Sequence, residues 1–254
     1  MSKKVIYVAF SNQKGGVGKS AFTTLAASYL HYAGGKNVAV IDCDYPQHSI
    51  HAMREREKSF VLAGDRFKRM LTLQHEQTGK KAYSVYSAKP ENALEAAQKY
   101  FSEKDSNIDV VFFDLAGTVA SDGILKSLFN MDYIFCPIIP DKLVIQSSLT
   151  FASAIVDCLA KYPDIPLKGI YFFWNQIVRN ENREIYDAYS DIMKRMKLNV
   201  LKTEIPFTVK YKREMSMKNK QLFRSTLFPP VGAHVNDACL DLLIDEICQI
   251  INLK

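Results

Sequence analysis

One short string, Lys14-Gly15-Gly16-Val17-Gly18-Lys19-Ser20, constrains this chain more than any other feature. Residues 5–10 before it form an unbroken apolar run, the pattern of a strand covered on both faces. After it, Phe22, Leu25, Ala26, Tyr29 and Leu30 recur at helical spacing, and Gly34-Gly35 supplies a stop. A strand, a glycine-rich turn and a helix in that order make an anion cradle. Glycines let the backbone curl around a ligand with its N–H groups inward, and the helix adds the positive end of its dipole. In that frame Gly15, Gly16, Val17, Gly18 and Ala21 line a phosphate group. Lys19 reaches the terminal oxygens, and the Ser20 hydroxyl completes a magnesium shell.

The rest of the chain alternates in the same way. Residues 38–41, 108–113, 133–139 and 167–174 read as further buried strands. Helical patterns lie at 47–58, 91–101, 146–161 and 182–196. Strands separated by helices imply right-handed crossovers, hence an α/β chain with one doubly wound, mostly parallel sheet and helices on both faces. No repeat, low-complexity tract or Pro/Gly/Ser-rich linker interrupts it, so residues 1–254 are expected to form a single domain. Residues 59–81 carry the weakest pattern and fit no element clearly.

Composition narrows the setting. The longest uncharged apolar run is the eight residues 133–140, against the roughly 20 that a bilayer-spanning helix needs. Nothing resembling a secretory signal precedes the first strand. Five cysteines, widely spaced and without a CxxC pair, argue against a disulfide framework or zinc knuckle and point to a reducing cytoplasm. Cys136 stands in an apolar strand and reads as core. His48 and His51 sit three apart on a helical stretch, without an evident third metal ligand, and read as solvated.

The net charge is +6, unevenly distributed. Residues 202–224 hold seven basic side chains (Lys202, Lys210, Lys212, Arg213, Lys218, Lys220 and Arg224) against Glu204 and Glu214, net +5. Residues 225–254 are net −3. Within them, 236–252 place Leu240, Leu243, Ile244, Ile247 and Ile251 on one helical stripe opposite acidic residues. A lipid-facing helix would carry Lys and Arg on that polar face, so this one reads as packing into the core.

Carboxylates stand where ligands bind in open α/β sheets, at the carboxyl ends of strands. The second strand ends in Asp42-Cys43-Asp44-Tyr45-Pro46-Gln47, and the strand at 108–113 runs into Asp114-Leu115-Ala116-Gly117-Thr118. Asp44 also fits a plain helix cap or turn residue. Trp174-Asn175 ends a late strand, and Ile205-Pro206-Phe207 follows further on.

The loop departs from the common GxxxxGK[ST] string: Gln13 holds the first glycine slot, and Lys14 precedes the glycine pair. Asn12-Gln13-Lys14-Gly15-Gly16-Val17-Gly18-Lys19-Ser20 resembles the deviant Walker A box of the ParA/MinD class of P-loop ATPases, in its ParA-type form. Asp42-Cys43-Asp44-Tyr45-Pro46-Gln47 resembles that family's DxDPQ box with Tyr45 inserted, and the strand ending in Asp114 resembles a Walker B strand. The resemblance implies a P-loop NTPase fold, ATP and Mg2+ as cofactors, and a homodimer that forms on ATP binding. Lys14 would then touch the partner's phosphates. Asp42 would hold a magnesium-bound water, with Ser20 and Asp114 completing the metal site. Asp44 would position the attacking water, and Asn175 and Pro206 would flank adenine. The basic segment, with Lys210, Lys212, Arg213, Lys218, Lys220 and Arg224, would bind DNA without sequence preference, or else be a solvated helix face. A DNA-bound partner protein that stimulates hydrolysis, a cytoplasmic, nucleoid-associated location and no membrane complete the expectation. The stretches 27–32 and 42–49 further resemble ParA-like proteins of Bacteroides-type conjugative-transfer regions. Plasmid or chromosome partition, a MinD-like positioning ATPase and a metabolic P-loop ligase are the competing readings.

Overall fold

Seven strands form one sheet in the order β3-β2-β4-β1-β5-β6-β7, every neighbouring pair parallel. The computed structural model describes residues 4–102, 107–117, 122–178, 182–209, 223–230 and 232–253. The central strands are β1 (Ile6–Phe10), β2 (Val38–Cys43), β4 (Val110–Leu115), β5 (Tyr133–Ile138) and β6 (Gly169–Trp174). All five match the apolar runs of the sequence. The edge strands β3 (Ser84–Ser87) and β7 (Asn199–Val200) do not. They are short, and only part of each is covered, so neither shows the continuous apolar signature.

Helices pack on both faces. These are α1 (Lys19–Ser28), continued by a wider π turn at Tyr29–Ala33, α2 (Ser49–Ala63), α3 (Asp65–Thr78) and α4 (Ala93–Ser102). Then follow α5 (Asp122–Phe129), α6 (Lys142–Lys161), α7 (Glu184–Arg195), α8 (Gly232–Asp237) and α9 (Leu240–Ile250). The unplaced residues 59–81 are the end of α2 and all of α3. No residue of α3 is buried, which is why it lacks an apolar stripe.

Successive side chains of a strand point to opposite faces, and that alternation builds two cores. Val8 and Phe10 join Phe22, Phe112, Phe135 and Phe173 on the face covered by α1 and α9. Ala9, Ile41, Val111, Phe113, Ile134 and Cys136 point to the other face, towards α4, α5 and α6. Phe10 is the hub of the first core. Its ring lies 5.9 Å from those of Phe22 and Phe135, 6.1 Å from Phe112 and 6.3 Å from Phe173. Such burial stabilises by about 2–3 kcal/mol per aromatic ring, and it fixes the strand that carries the glycine-rich loop.

Two expectations need adjustment. The C-terminal helix expected at 236–252 is divided into α8 and α9, with Cys239 between them in the left-handed region at φ 52°. α9 does bury Leu240, Leu243, Ile244 and Ile247. The eight-residue apolar run also understated α6. That helix is long and apolar enough to cross a membrane by length and composition. Here it lays Val144, Ile145, Ser148, Phe151, Ala152 and Ile155 against the body of the protein instead.

Candidate phosphate and cation site

The loop between β1 and α1 is held from below by Asn12, which is fully buried. Its amide nitrogen donates to the Pro137 carbonyl at 2.8 Å and to Ser148 Oγ at 2.9 Å. Its oxygen accepts the Lys14 N–H at 3.1 Å. The end of β5 and the first turns of α6 therefore fix where the loop begins. From the far side, Asn175 donates to the Val17 carbonyl at 2.8 Å, and Gln176 reaches the Gly16 carbonyl at 3.3 Å. Tying carbonyls to side chains is what a loop must do to keep its N–H groups for an anion. Gly16 and Gly18 have φ of +76° and +103°, a region closed to most L side chains. At Gly18 a Cβ would also stand 3.0 Å from the Phe22 ring and 3.1 Å from the Asn175 amide.

Lys19 is half-buried, and its ammonium donates to the Lys14 carbonyl at 2.8 Å. Burial pushes its pKa down, while the negative charges of Asp114 and Asp44 pull it back up. Gly117, two residues past β4, leaves room for this head group, because a Cβ there would lie 2.8 Å from Nζ. Lys14 itself is exposed. Its N–H is held by Asn12 and its carbonyl by Lys19, so the backbone is fixed while the side chain stays at the surface.

Asp42 and Asp114 face one another in the β2–β4 register and are both fully buried. Asp42 Oδ2 accepts the N–H groups of Ile50 at 2.9 Å and His51 at 2.8 Å, and Oδ1 accepts that of Asp44 at 3.2 Å. It therefore caps the open N-terminus of α2. The structure thus adds a capping role for Asp42, and Asp44, for which a cap or turn role was the alternative, stands at the start of the turn that leads into α2. Asp44 is half-buried and accepts the Ser49 hydroxyl at 3.2 Å. The inserted Tyr45 is 54% exposed, with Lys89 Nζ 5.6 Å from its ring centroid.

Asp114 is the opposite case, because among the described residues neither of its oxygens has a hydrogen-bond partner. Burial pushes its pKa up to about 7, the nearby Ser20 hydroxyl and the Lys19 charge pull it down, and the Asp42 and Asp44 charges add to the rise. A buried carboxylate with no donor is costly unless a cation meets it. With Ser20 beside it and the phosphate loop above, the oxygen donors suit a hard divalent ion such as Mg2+. Among the described residues, no group of three or more His, Cys, Asp or Glu side chains could hold a metal by itself. Such an ion would therefore need ligand oxygens from a bound phosphate and water.

The other site expectations separate clearly. Asn175 is buried and has both amide ends engaged, by the Val17 carbonyl and the Gln176 N–H. It braces the loop, and its second amide hydrogen and second oxygen lone pair are what it could offer a base. Pro206 pairs with Ile177 beside that brace and lines a cavity of about 250 Å³ that also includes Tyr186 and the Arg183–Glu204 ion pair. Lys210, Lys212, Arg213, Lys218 and Lys220 lie outside the described residues. Arg224 is described and half-buried, directly after them. Asn12 and Gly117 stand in the quoted motifs without a role assigned from the sequence, and Gln176 stands next to Asn175; the partners that give them their roles, Pro137, Ser148, Lys19 and Gly16, are distant in the chain.

Comparison with known proteins agrees with this geometry. A search of curated protein sequences finds no match. Among solved structures, an ATP complex of a Cyanothece McdA variant superposes with a TM-score of 0.60 at 14% identity, covering 98% of this chain and 97% of that one. A plasmid partition protein from Borrelia burgdorferi gives 0.52 at 17% identity, covering 82% and 92%. Cobyrinic acid a,c-diamide synthase from Mycobacterium smegmatis, with bound ATP analogue and magnesium, gives 0.53 at 20% identity, covering 90% and 100%. These likenesses establish the fold. Residues 8–220 match the family described as the CobQ/CobB/MinD/ParA nucleotide binding domain. With its deviant phosphate loop, its parallel sheet and the carboxylates at its strand ends, the chain belongs to that family.

Proposed function

We propose that the chain is a ParA-type ATPase: ATP and Mg2+ bring two copies together, and the dimer binds DNA without sequence preference to segregate or position it. The observation that carries the nucleotide reading is Asp114, a buried carboxylate without a donor among the described residues, beside Ser20 and Lys19 at the mouth of the phosphate loop. Bound magnesium would neutralise charge on the transferring phosphoryl group, with Ser20 and Asp114 as its protein side. Lys19 and the loop N–H groups hold the phosphates. Asp44 accepts a hydrogen bond from the attacking water and so orients it. Lys14 acts on the partner copy's nucleotide, adding positive charge where phosphoryl transfer accumulates negative charge. Its exposed side chain on a fixed backbone suits that role.

The DNA reading is supported by the +5 segment at 202–224. A lipid anchor at the C-terminus is disfavoured by α9: Asp245 is exposed, and Glu246 accepts the Lys202 and Thr203 N–H groups. The protein then works in the cytoplasm on the nucleoid, with a DNA-bound partner protein stimulating hydrolysis. Its cargo is a plasmid, a chromosome or a conjugative element.

The test is ATP turnover and DNA co-sedimentation with non-specific duplex at several salt concentrations. Binding should require ATP and fall linearly in log–log form, with about 0.9 of slope per phosphate contact. The double substitution Lys212→Glu with Arg213→Glu should weaken binding and flatten that slope. ATPase activity indifferent to DNA, with DNA binding absent or insensitive to salt, would transfer the protein to the small-molecule ligase class.

A further inference from the structure

Two helices, α3 and α9, carry exposed faces of opposite charge. No residue of α3 is buried. Its inner line ties it to the body: the Phe67 ring stands 6.1 Å from that of Phe228, and Gln74 donates to the Leu227 carbonyl at 3.0 Å. On its outer side Arg66, Arg69, Met70 and Leu73 share an arc of about 100°, given 3.6 residues per turn. All four are exposed, Leu73 to 55% and Met70 to 39%. Lys68 is paired with Asp65 at 3.9 Å, whereas Arg66 and Arg69 have no ion pair among the described residues. On α9, Asp241, Leu242 and Asp245 likewise share an arc of about 100°, opposite the buried Leu240, Ile244 and Ile247. Leu242 is 57% exposed, Asp245 is exposed and Asp241 half-buried, and neither aspartate has an ion pair among the described residues. Each helix thus offers two charges beside an apolar patch, of a kind more often found at an interface than facing water.

The two faces stand at opposite edges of the sheet. α3 packs on α2, whose Arg54 donates to Thr226 Oγ1 at 2.7 Å and to the Tyr83 carbonyl, just before edge strand β3, at 2.8 Å. α9 lies at the other edge, where Glu246 accepts the Lys202 and Thr203 N–H groups just after β7. Ile50 of α2 and Leu243 of α9 belong to the same core, so both helices cover one face of the sheet. The spacing of parallel strands puts the two edges about 29 Å apart, several times the Debye length of about 8 Å at physiological salt. Within one copy the charges therefore do not meet. A second copy set edge to edge brings them together. α3 against α3, or α9 against α9, would set like charges opposite, so the complementary contact is heterologous and repeats instead of closing.

We propose that the chain binds further copies of itself head to tail: Arg66 and Arg69 of α3 meet Asp241 and Asp245 of α9 in the next copy, and Met70 and Leu73 pack against Leu242. The contact uses the lateral edges of the sheet and stands apart from the ATP-dependent pairing through Lys14. Exposed ion pairs are individually weak, so the assembly depends on protein concentration and on salt.

Sedimentation velocity on the full chain, without nucleotide or DNA, tests it. At about 0.05 M salt the weight-average sedimentation coefficient should rise steadily between about 10 and 300 µM protein; at about 0.5 M salt, with a Debye length below about 5 Å, it should stay at its low-concentration value. Arg66→Glu with Arg69→Glu should weaken association about tenfold or more. Leu242→Lys with Asp245→Lys should do the same. These four side chains are exposed, so both variants should melt close to the wild type. Mixed in equal amounts, each variant supplies the face that the other lacks, and association should return; a misfolded variant could not restore it. A wild type that does not associate, association that neither variant weakens, or a mixture as weak as its components overturns the contact. Absent self-association, with Arg66→Glu and Arg69→Glu abolishing binding to duplex DNA or to phosphatidylserine vesicles, also overturns it and gives the α3 face to that ligand.

Discussion

Asp42 and Asp114 end adjacent parallel strands, stand opposite one another in register and are equally buried, yet their surroundings are opposite. The β2 carboxylate accepts three backbone N–H groups, two of them from the start of α2. The β4 carboxylate has no hydrogen-bond partner among the described residues, and burial drives its pKa up to about 7. Desolvating a carboxylate carries a similar cost at either position, so what differs is the source of the compensation. At the end of β2 the fold supplies it through a helix N-terminus. At the end of β4 the proposed source is a bound cation.

Substitutions can break this contrast, and the largest effect belongs to the lysine on the ligand side. Lys19→Ala should lower ATP affinity at least a hundredfold, about 3 kcal/mol, in a titration with a fluorescent analogue; near-normal affinity would remove the phosphate site from β4's side of the sheet. Asp42→Ala should cost about 2–3 kcal/mol of stability, because it strands buried N–H groups. Thermal unfolding of the nucleotide-free protein should fall by roughly 4–12 °C for a chain of this size. An unchanged melting temperature would mean that Asp42 is not the cap. Gly18→Ala, which forces a Cβ into the Phe22–Asn175 contact at φ +103°, should cost about 1–2 kcal/mol. Chemical denaturation reads that loss, and no loss would show that the Val17–Asn175 brace can give way. Asp114→Asn should change nucleotide-free stability by less than about 1 kcal/mol, neutral or in the stabilising direction, since it removes a buried charge that accepts no hydrogen bond among the described residues. A large destabilisation there would make the two aspartates alike.

The nucleotide loop was legible because all its signals are local. Strand, glycines, lysine and serine follow within fifteen residues, and the five central strands announce themselves as apolar runs. The division between Asp42 and Asp114 was not legible. Both end apolar strands, and what separates them is that the N–H groups of Ile50 and His51 come back to Asp42, a consequence of the α2 entry angle. Asn175 reaches the loop across 158 residues of chain and Arg54 reaches Thr226 across 172, distances at which no periodicity speaks. The edge strands β3 and β7 and the exposed helix α3 escaped for a different reason. They bury too little to imprint a pattern on their sequence.

The contrast between the two aspartates is tested most directly by calorimetric titration of ATP into the wild type and Asp114→Asn, each with and without Mg2+. Magnesium is expected to strengthen wild-type binding at least tenfold and to leave the variant's affinity almost unchanged. An equal magnesium enhancement in both proteins would contradict the assignment of Asp114 to the cation.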